Sequence, residues 1–239
     1  MNTDSSATKA TQRTSELLAL ARNVKGFMPE DEGTALFDTA LRAGASRPSG
    51  GTLVEIGAWC GKSTVYLGAG AEATGAVLFS IDHHRGSEEN QSGWDHHDTT
   101  VVDQNTGSID TLPFWRRTMA AAGLEQTVIG VVGDSPVIAT RWKTPIDLCF
   151  IDGGHGVDPA WADFHGWAPM VALGGWLAIH DVFPDPADGG RPPYELWCAA
   201  LSGGEFEPDG EQGSLRILRR VAPPATAASG PNPQVVPLP

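Results

Sequence analysis

The stretch 52-TLVEIGAWCGKSTVYLGAGAEATGAVLFSID-82 reads as strand, glycine turn, helix, strand. TLVEIG is a short apolar run closed by Gly57, and GKSTVYLGAGAEA has the composition of a helix. AVLFSID is a second apolar run that ends on an acid, Asp82. Further apolar runs follow at VIGVVG (128–133), IDLCFIDGG (146–154) and GGWLAIHD (174–181). Helical stretches are predicted between them over Leu112–Ala122, Ser135–Trp142 and Val157–Leu173. The strands are continuous rather than alternating, as expected when helices cover both faces of a parallel sheet. This order specifies a doubly wound, mostly parallel α/β sheet.

Upstream, residues 13–24 and Pro29–Ala43 are predicted helices, the second with Glu30, Asp31 and Glu32 in its first turn, where acids suit the helix dipole. Downstream, a helix over Tyr194–Leu201 and strands near Phe206 and Leu215–Leu218 complete a C-terminal antiparallel hairpin, with DGEQG (209–213) as its turn. Residues 13–221 form a single domain, flanked by a disordered polar N-terminus (1–12) and a disordered Pro/Ala-rich tail (222–239).

The 239 residues suffice for one sizeable core. The net charge of −13 disfavours nucleic acid and anionic membrane as partners. Segments 82–110 and 147–195 carry −6 and −7, and they also hold all seven histidines. The acidity is therefore local, and it suits a cation with a neutral, hydroxyl-rich ligand. Cys60, Cys149 and Cys198 are widely spaced and odd in number, which argues against a disulfide framework. With no signal-like N-terminus and no apolar run long enough to span a bilayer, a cytoplasmic protein is expected.

The chemistry-bearing residues fall at strand ends, where open α/β sheets bind ligands. Three residues separate Gly57 from Gly61-Lys62-Ser63, one fewer than a phosphate-binding P-loop needs, so an NTPase is disfavoured. Trp59 stands where a dinucleotide fingerprint needs its second glycine. What remains is E-x-G-x-x-x-G, a turn that lets backbone approach a ligand lacking a pyrophosphate. Asp82, 25 residues past Gly57, has the spacing of a ribose-binding acid. Asp134 and Ser135 either cap a helix or meet a base. Asp152, His155, His180 and Asp181 at adjacent strand ends offer oxygen-rich ligation with imidazole, suited to Mg²⁺ or Mn²⁺. The long polar insertion 83–110 reads as a substrate lid, with Trp94 free to stack on a ring and His83, His84, His96 and His97 as either ligands or, the favoured reading, polar lid residues. His165 and the tryptophans at 115, 142, 161, 167, 176 and 197 are assigned to packing.

VEIGAWCGKST, FSID, VVGDS, FIDGGHGVDPAWADF and GGWLAIHD resemble the class I S-adenosylmethionine-dependent methyltransferases over Thr52–Asp181. The pattern is most similar to the bacterial branch of metal-dependent sugar O-methyltransferases. DHHRGSEENQSGWDHHD and DVFPDPADGGRPPYELW resemble an actinobacterial group acting on the 1-hydroxyl of methylated mannosides. The resemblance implies a Rossmann-like methyltransferase fold with S-adenosylmethionine and Mg²⁺ or Mn²⁺ as cofactors. It implies an oligosaccharide or small-molecule acceptor, and a homodimer is common in such enzymes. Glu55, Gly57, Gly61 and Ser63 would line the methionine end, Asp82 would bind ribose, and Asp134 and Ser135 would contact adenine. Asp152, His180 and Asp181 would hold the metal, although related enzymes often carry two acids where this chain has His180-Asp181. His155 is the candidate general base, with Asp152 as the competing choice. Three rivals remain: a catechol or natural-product O-methyltransferase, a cofactor-binding module without catalysis, and an NTPase.

Overall fold

The five apolar runs become parallel neighbours: β1 (Thr52–Ile56), β2 (Val77–Asp82), β3 (Val128–Val132), β4 (Ile146–Ile151) and β5 (Val171–Ile179). β7 (Leu215–Arg220) pairs antiparallel with β5, and β6 (Phe206–Gln212) pairs antiparallel with β7. The strand order is β3-β2-β1-β4-β5-β7-β6. The computed structural model describes residues 3–48, 50–94 and 97–223. The expectations for His96 and for nearly all of the 222–239 tail lie outside those residues.

Alternate residues of each central strand face opposite helical layers, which is why the runs read as uninterrupted. Leu53, Leu78 and Leu148 pack with α1 (Thr3–Asn23), α2 (Glu30–Ala45), α3 (Lys62–Thr74) and α4 (Leu112–Ala122). Val54, Ile81 and Cys149 pack with α5 (Ser135–Ala139), α6 (Val157–Trp167) and α7 (Arg191–Ser202). Trp115, Trp167 and Trp176 are buried in these layers. Among the described residues, no helix is long and apolar enough to cross a membrane.

Four local expectations are corrected. The N-terminal helix begins at Thr3, upstream of the predicted start at residue 13. No glycine or proline interrupts it, and Arg13 anchors it to Glu72 (2.9 Å) and to the Ala122 carbonyl (2.6 Å). The helix predicted over Ser135–Trp142 stops at Ala139. The helix predicted through Leu173 stops at Trp167, followed by a short helical turn over Ala168–Met170. Val171 then pairs with Ile146, so sheet hydrogen bonds claim residues whose apolar pattern also suits a helix. Finally, the hairpin turn is Gly213-Ser214, because Gln212 pairs with Leu215 and most of DGEQG belongs to β6.

Candidate functional site

A cavity of about 900 Å³ opens across the C-terminal ends of β1, β2, β4 and β5. It lies where strand order reverses between β1 and β4, the position at which open α/β sheets take ligands. Among the described residues, three non-glycine residues have positive φ: Trp59 (48°), His84 (58°) and Asp181 (56°). They follow β1, β2 and β5 respectively, and Trp59 and Asp181 line the cavity.

The loop after β1 is built by backbone. Gly57 has φ 86°, and a Cβ there would lie 2.1 Å from the Asp152 carbonyl oxygen, so the β1 and β4 ends touch only with glycine present. Asp82 Oδ2 accepts hydrogen bonds from the Ala58 and Trp59 amides at 2.9 and 3.0 Å, and Oδ1 accepts from the His84 amide at 2.6 Å. Asp82 thus shapes the loop while also lining the cavity. Glu55 has a different place from the one expected. It is fully buried, is not on the cavity wall, and accepts hydrogen bonds from Ser63, Thr64 and Ser80 hydroxyls at 2.6–2.7 Å. Burial pushes its carboxyl up to about 7 against those three hydrogen bonds. Gly61 caps α3 and packs against Trp115, Thr118 and Met119, also off the wall. Ser63 lines the cavity, but its hydroxyl is committed to Glu55.

Gly133, Asp134 and Ser135 line the next stretch. Asp134 caps α5 by accepting from the Val137 amide at 3.2 Å. The Ser135 hydroxyl donates to Asp163 Oδ1 (2.7 Å) and accepts from the Trp167 indole (2.7 Å), so it has little capacity left for a base. Asp163, not singled out in the sequence, is buried on α6 and lines the same wall. Burial pushes its carboxyl up to about 6.

At the ends of β4 and β5 the side chains themselves face the cavity. Asp152, His155 and Asp181 each offer a ligand atom, all within 4.8 Å of one another. Two carboxylates and one imidazole match the donor chemistry of Mg²⁺ or Mn²⁺, so this trio fits the expected cation. His180, expected as a ligand, lines the same cavity but stands beside this trio rather than in it. It is buried, with Nδ1 3.0 Å from Asp152 Oδ1 and 3.4 Å from Asp181 Oδ2, and with Nε2 bonded to Glu32. Burial opposes the charged imidazole, yet Asp152, Asp181 and Glu32 hold the His180 pKa well above the usual histidine value. Asp181 shows the matching effect. Burial would raise its pKa, but hydrogen bonds from His155 and His180 keep it well below the usual range.

His155 departs from its expected state. Its Nε2 is 3.1 Å from Asp181 and its Nδ1 is 3.2 Å from Glu89. Burial lowers its pKa, but those two carboxylates outweigh burial and push it up to about 10. At neutral pH the imidazole is therefore charged, and it is no base until it loses that proton. Sequence reasoning missed Glu89 and Glu32. Glu32 was read as a helix-dipole acid, and no local spacing ties it to His180, 148 positions away.

The insertion is only partly a lid. Gly86–Asn90 line the cavity, whereas Val101 and Ile109 are buried against Cys60. Trp94 is 54% exposed and off the cavity wall, so it does not occupy the stacking position expected of it. His84 is buried against Thr111, and His97 bonds the Asn90 carbonyl. His83 reaches the cavity. The aromatic surface comes instead from Phe27, Trp59 and Phe183, with the first two rings 5.9 Å apart.

A family model described as "Methyltransferase domain" matches residues 54–182, more than half of the chain. Among solved structures, the O-methyltransferase NovP aligns with TM-score 0.61 and 15% identity, covering 81% of each chain. Cofactor-bound Rv0187 from MTB aligns with TM-score 0.59 and 16% identity, covering 89% of each. CalS11, described as a TDP-rhamnose 3′-O-methyltransferase of calicheamicin biosynthesis, aligns with TM-score 0.56 and 16% identity, covering 89% of this chain and 93% of its own. At these identities the structural likeness concerns the fold.

Proposed function

The chain belongs to the methyltransferase-domain family, and on that premise we propose an S-adenosylmethionine-dependent O-methyltransferase that uses a divalent cation to methylate a sugar or oligosaccharide hydroxyl. The observation that carries this reading is the Asp152–His155–Asp181 trio, set in a cavity that continues past the glycine loop and Asp82. Gly57 and the Ala58–Trp59 backbone would receive the methionine end of the cofactor, Asp82 the ribose, and the Gly133–Ser135 wall with Asp163 the adenine. When bound, the cofactor supplies the activated methyl and the cation supplies Lewis acidity toward a hydroxyl too weakly acidic to react alone.

The chain's own contribution is positioning and proton control. Asp152 and Asp181 present oxygens to one point, held there by His180. His155 must shed the proton that Asp181 and Glu89 now stabilise, after which its Nε2 can act as third ligand or accept the acceptor's proton. Phe27 and Trp59 add aromatic surface to the cavity that holds the acids, which suits the apolar face of a pyranose ring. A sugar acceptor is consistent with the activity described for CalS11. The same aromatic face also suits a catechol or other small aromatic, which is the second reading.

Calorimetry with S-adenosylmethionine and with ATP tests the cofactor, and micromolar binding of the first alone is expected. A panel of glycosides, methylated mannosides and catechols, assayed with Mg²⁺, Mn²⁺ or EDTA, tests acceptor and cation. Full turnover in EDTA by metal-free protein would remove the cation from the reading. Cofactor binding without transfer to any hydroxyl would leave a binding module.

A further inference from the structure

The acid–imidazole cluster extends further from the cavity than its candidate ligands do. Glu32, at the start of α2, is buried and faces two partners. Its Oε2 meets His180 Nε2, and its carboxylate accepts hydrogen bonds from both the amide and the hydroxyl of Ser214 in the β6–β7 turn. The turn is shaped for this approach. Gly213 has φ 52°, and a Cβ there would lie 2.1 Å from Glu32 Oε1. On the other side of the ring, His180 Nδ1 lies 3.0 Å from Asp152 and 3.4 Å from Asp181.

We propose that Glu32 is a positioning residue: fixed by the Gly213-Ser214 turn, it orients His180 so that Nδ1 sets the Asp152 and Asp181 carboxylates for a divalent cation. The inference rests on the cation reading above and adds to it an outer chain of partners, with His180 as support rather than ligand. Three facts argue for orientation rather than incidental packing. Both ring nitrogens of His180 are engaged by carboxylates, so neither is left free to face the cavity. Asp181 holds a positive φ of 56°, a conformation that persists only where its surroundings enforce it. Glu32 arrives from a separate helix and is met by a hairpin on the far side of the sheet order, so α2, β5 and the β6–β7 turn converge on one imidazole. Outer partners of this kind fix ring orientation and ligand basicity, and losing one typically costs metal affinity.

The test is Mn²⁺ affinity by EPR, alongside S-adenosylmethionine affinity by calorimetry, in wild type, Glu32→Ala, Glu32→Gln and His180→Gln. Glu32→Ala is expected to weaken Mn²⁺ by about 10–100-fold with cofactor affinity within about threefold. Glu32→Gln is expected to recover most of the loss, since its amide can accept from Ser214 and still hold the ring with Nδ1–H toward Asp152. Nitrogen hyperfine coupling to bound Mn²⁺ should be the same in His180→Gln as in wild type, while affinity falls. Should Glu32→Ala fail to fold, Glu32→Gln and His180→Gln carry the comparison. Unchanged Mn²⁺ affinity in Glu32→Ala, or in His180→Gln should Glu32→Ala not fold, would overturn the positioning role and leave the cation reading standing. Nitrogen coupling that disappears in His180→Gln would overturn it by making His180 a ligand. A wild-type protein that takes up no Mn²⁺ would overturn the cation reading itself.

Discussion

The loop after β1 and the ends of β4 and β5 both border the cavity, yet they are built in opposite ways. In the first, the carboxylate turns away from the ligand space: Glu55 is buried beneath Ser63, Thr64 and Ser80, and the wall is formed by Gly57, Ala58 and Trp59. In the second, Asp152, His155 and Asp181 point their ligating atoms at one another. Recognition by backbone needs glycine and a rigid scaffold, whereas recognition by charge needs acids kept ionised against burial. The contrast explains why His180 and Glu32 surround only the second region.

The strongest challenge to this contrast is at the charged end. Asp181→Ala and Asp152→Ala should each abolish Mn²⁺ binding and lower turnover by more than about 100-fold, the upper end for outer partners. Calorimetry and an acceptor assay check this, and Asp181→Ala with normal Mn²⁺ affinity would erase the distinction between the regions. At the backbone end, Gly57→Ala should destabilise the fold by roughly 3 kcal/mol, seen as a lower Tm, because its Cβ meets the Asp152 carbonyl. An alanine variant as stable as wild type would show that the loop can retreat.

Proton release gives a smaller but cleaner discriminator. With His155 pushed up to about 10, the free protein carries a proton there at pH 7.5. If His155 becomes a ligand, Mn²⁺ binding should release about one proton, measured by titration in buffers of different ionisation heat. In the same metal-free protein the raised pKa favours the fold below the ordinary histidine value near 6.5, and that contribution is lost as pH rises toward about 10. Tm in EDTA should therefore decline over that window, and less so in His155→Gln.

The smallest effect belongs to the scaffold. Glu55 has a folded pKa of about 7 against an ordinary 4.5, so the folded state binds the extra proton. Its contribution to stability falls as pH rises from about 4.5 to 7. Glu55→Gln lacks this term and should gain stability relative to wild type between pH 5 and pH 8, with S-adenosylmethionine affinity nearly unchanged. Denaturant melts at the two pH values decide it. A large loss of cofactor affinity would return Glu55 to the ligand wall.

Strand ends were legible because two independent regularities coincide there. Continuous apolar runs place β1, β2, β4 and β5, and the residue ending each run must face the carboxyl edge. That reasoning found Gly57, Asp82, Asp134, Asp152, His155 and Asp181, all of which line the cavity. It carried less where side-chain direction mattered. Glu55 lies within its strand, so the pleat fixes its direction and the packed α3 buries it. His180 follows β5 directly, but both of its nitrogens are claimed by carboxylates from other elements. The Trp94 ring suggests stacking in the sequence, yet it is exposed and off the cavity wall.

The amino-acid sequence by itself determined the doubly wound sheet, the cavity edge and the residue types gathered there, because these follow from periodicity and local turn chemistry. Tertiary structure alone decided which of those residues touch. The partnership of Glu32 with His180 spans 148 positions, and Ser214 reaches Glu32 across 182. Such contacts depend on how α2 and the β6–β7 turn pack around β5, and short-range patterning carries no record of that packing. The same holds for charge state: His155 is an ordinary imidazole in the sequence, and only Asp181 and Glu89 beside it make it a cation at neutral pH.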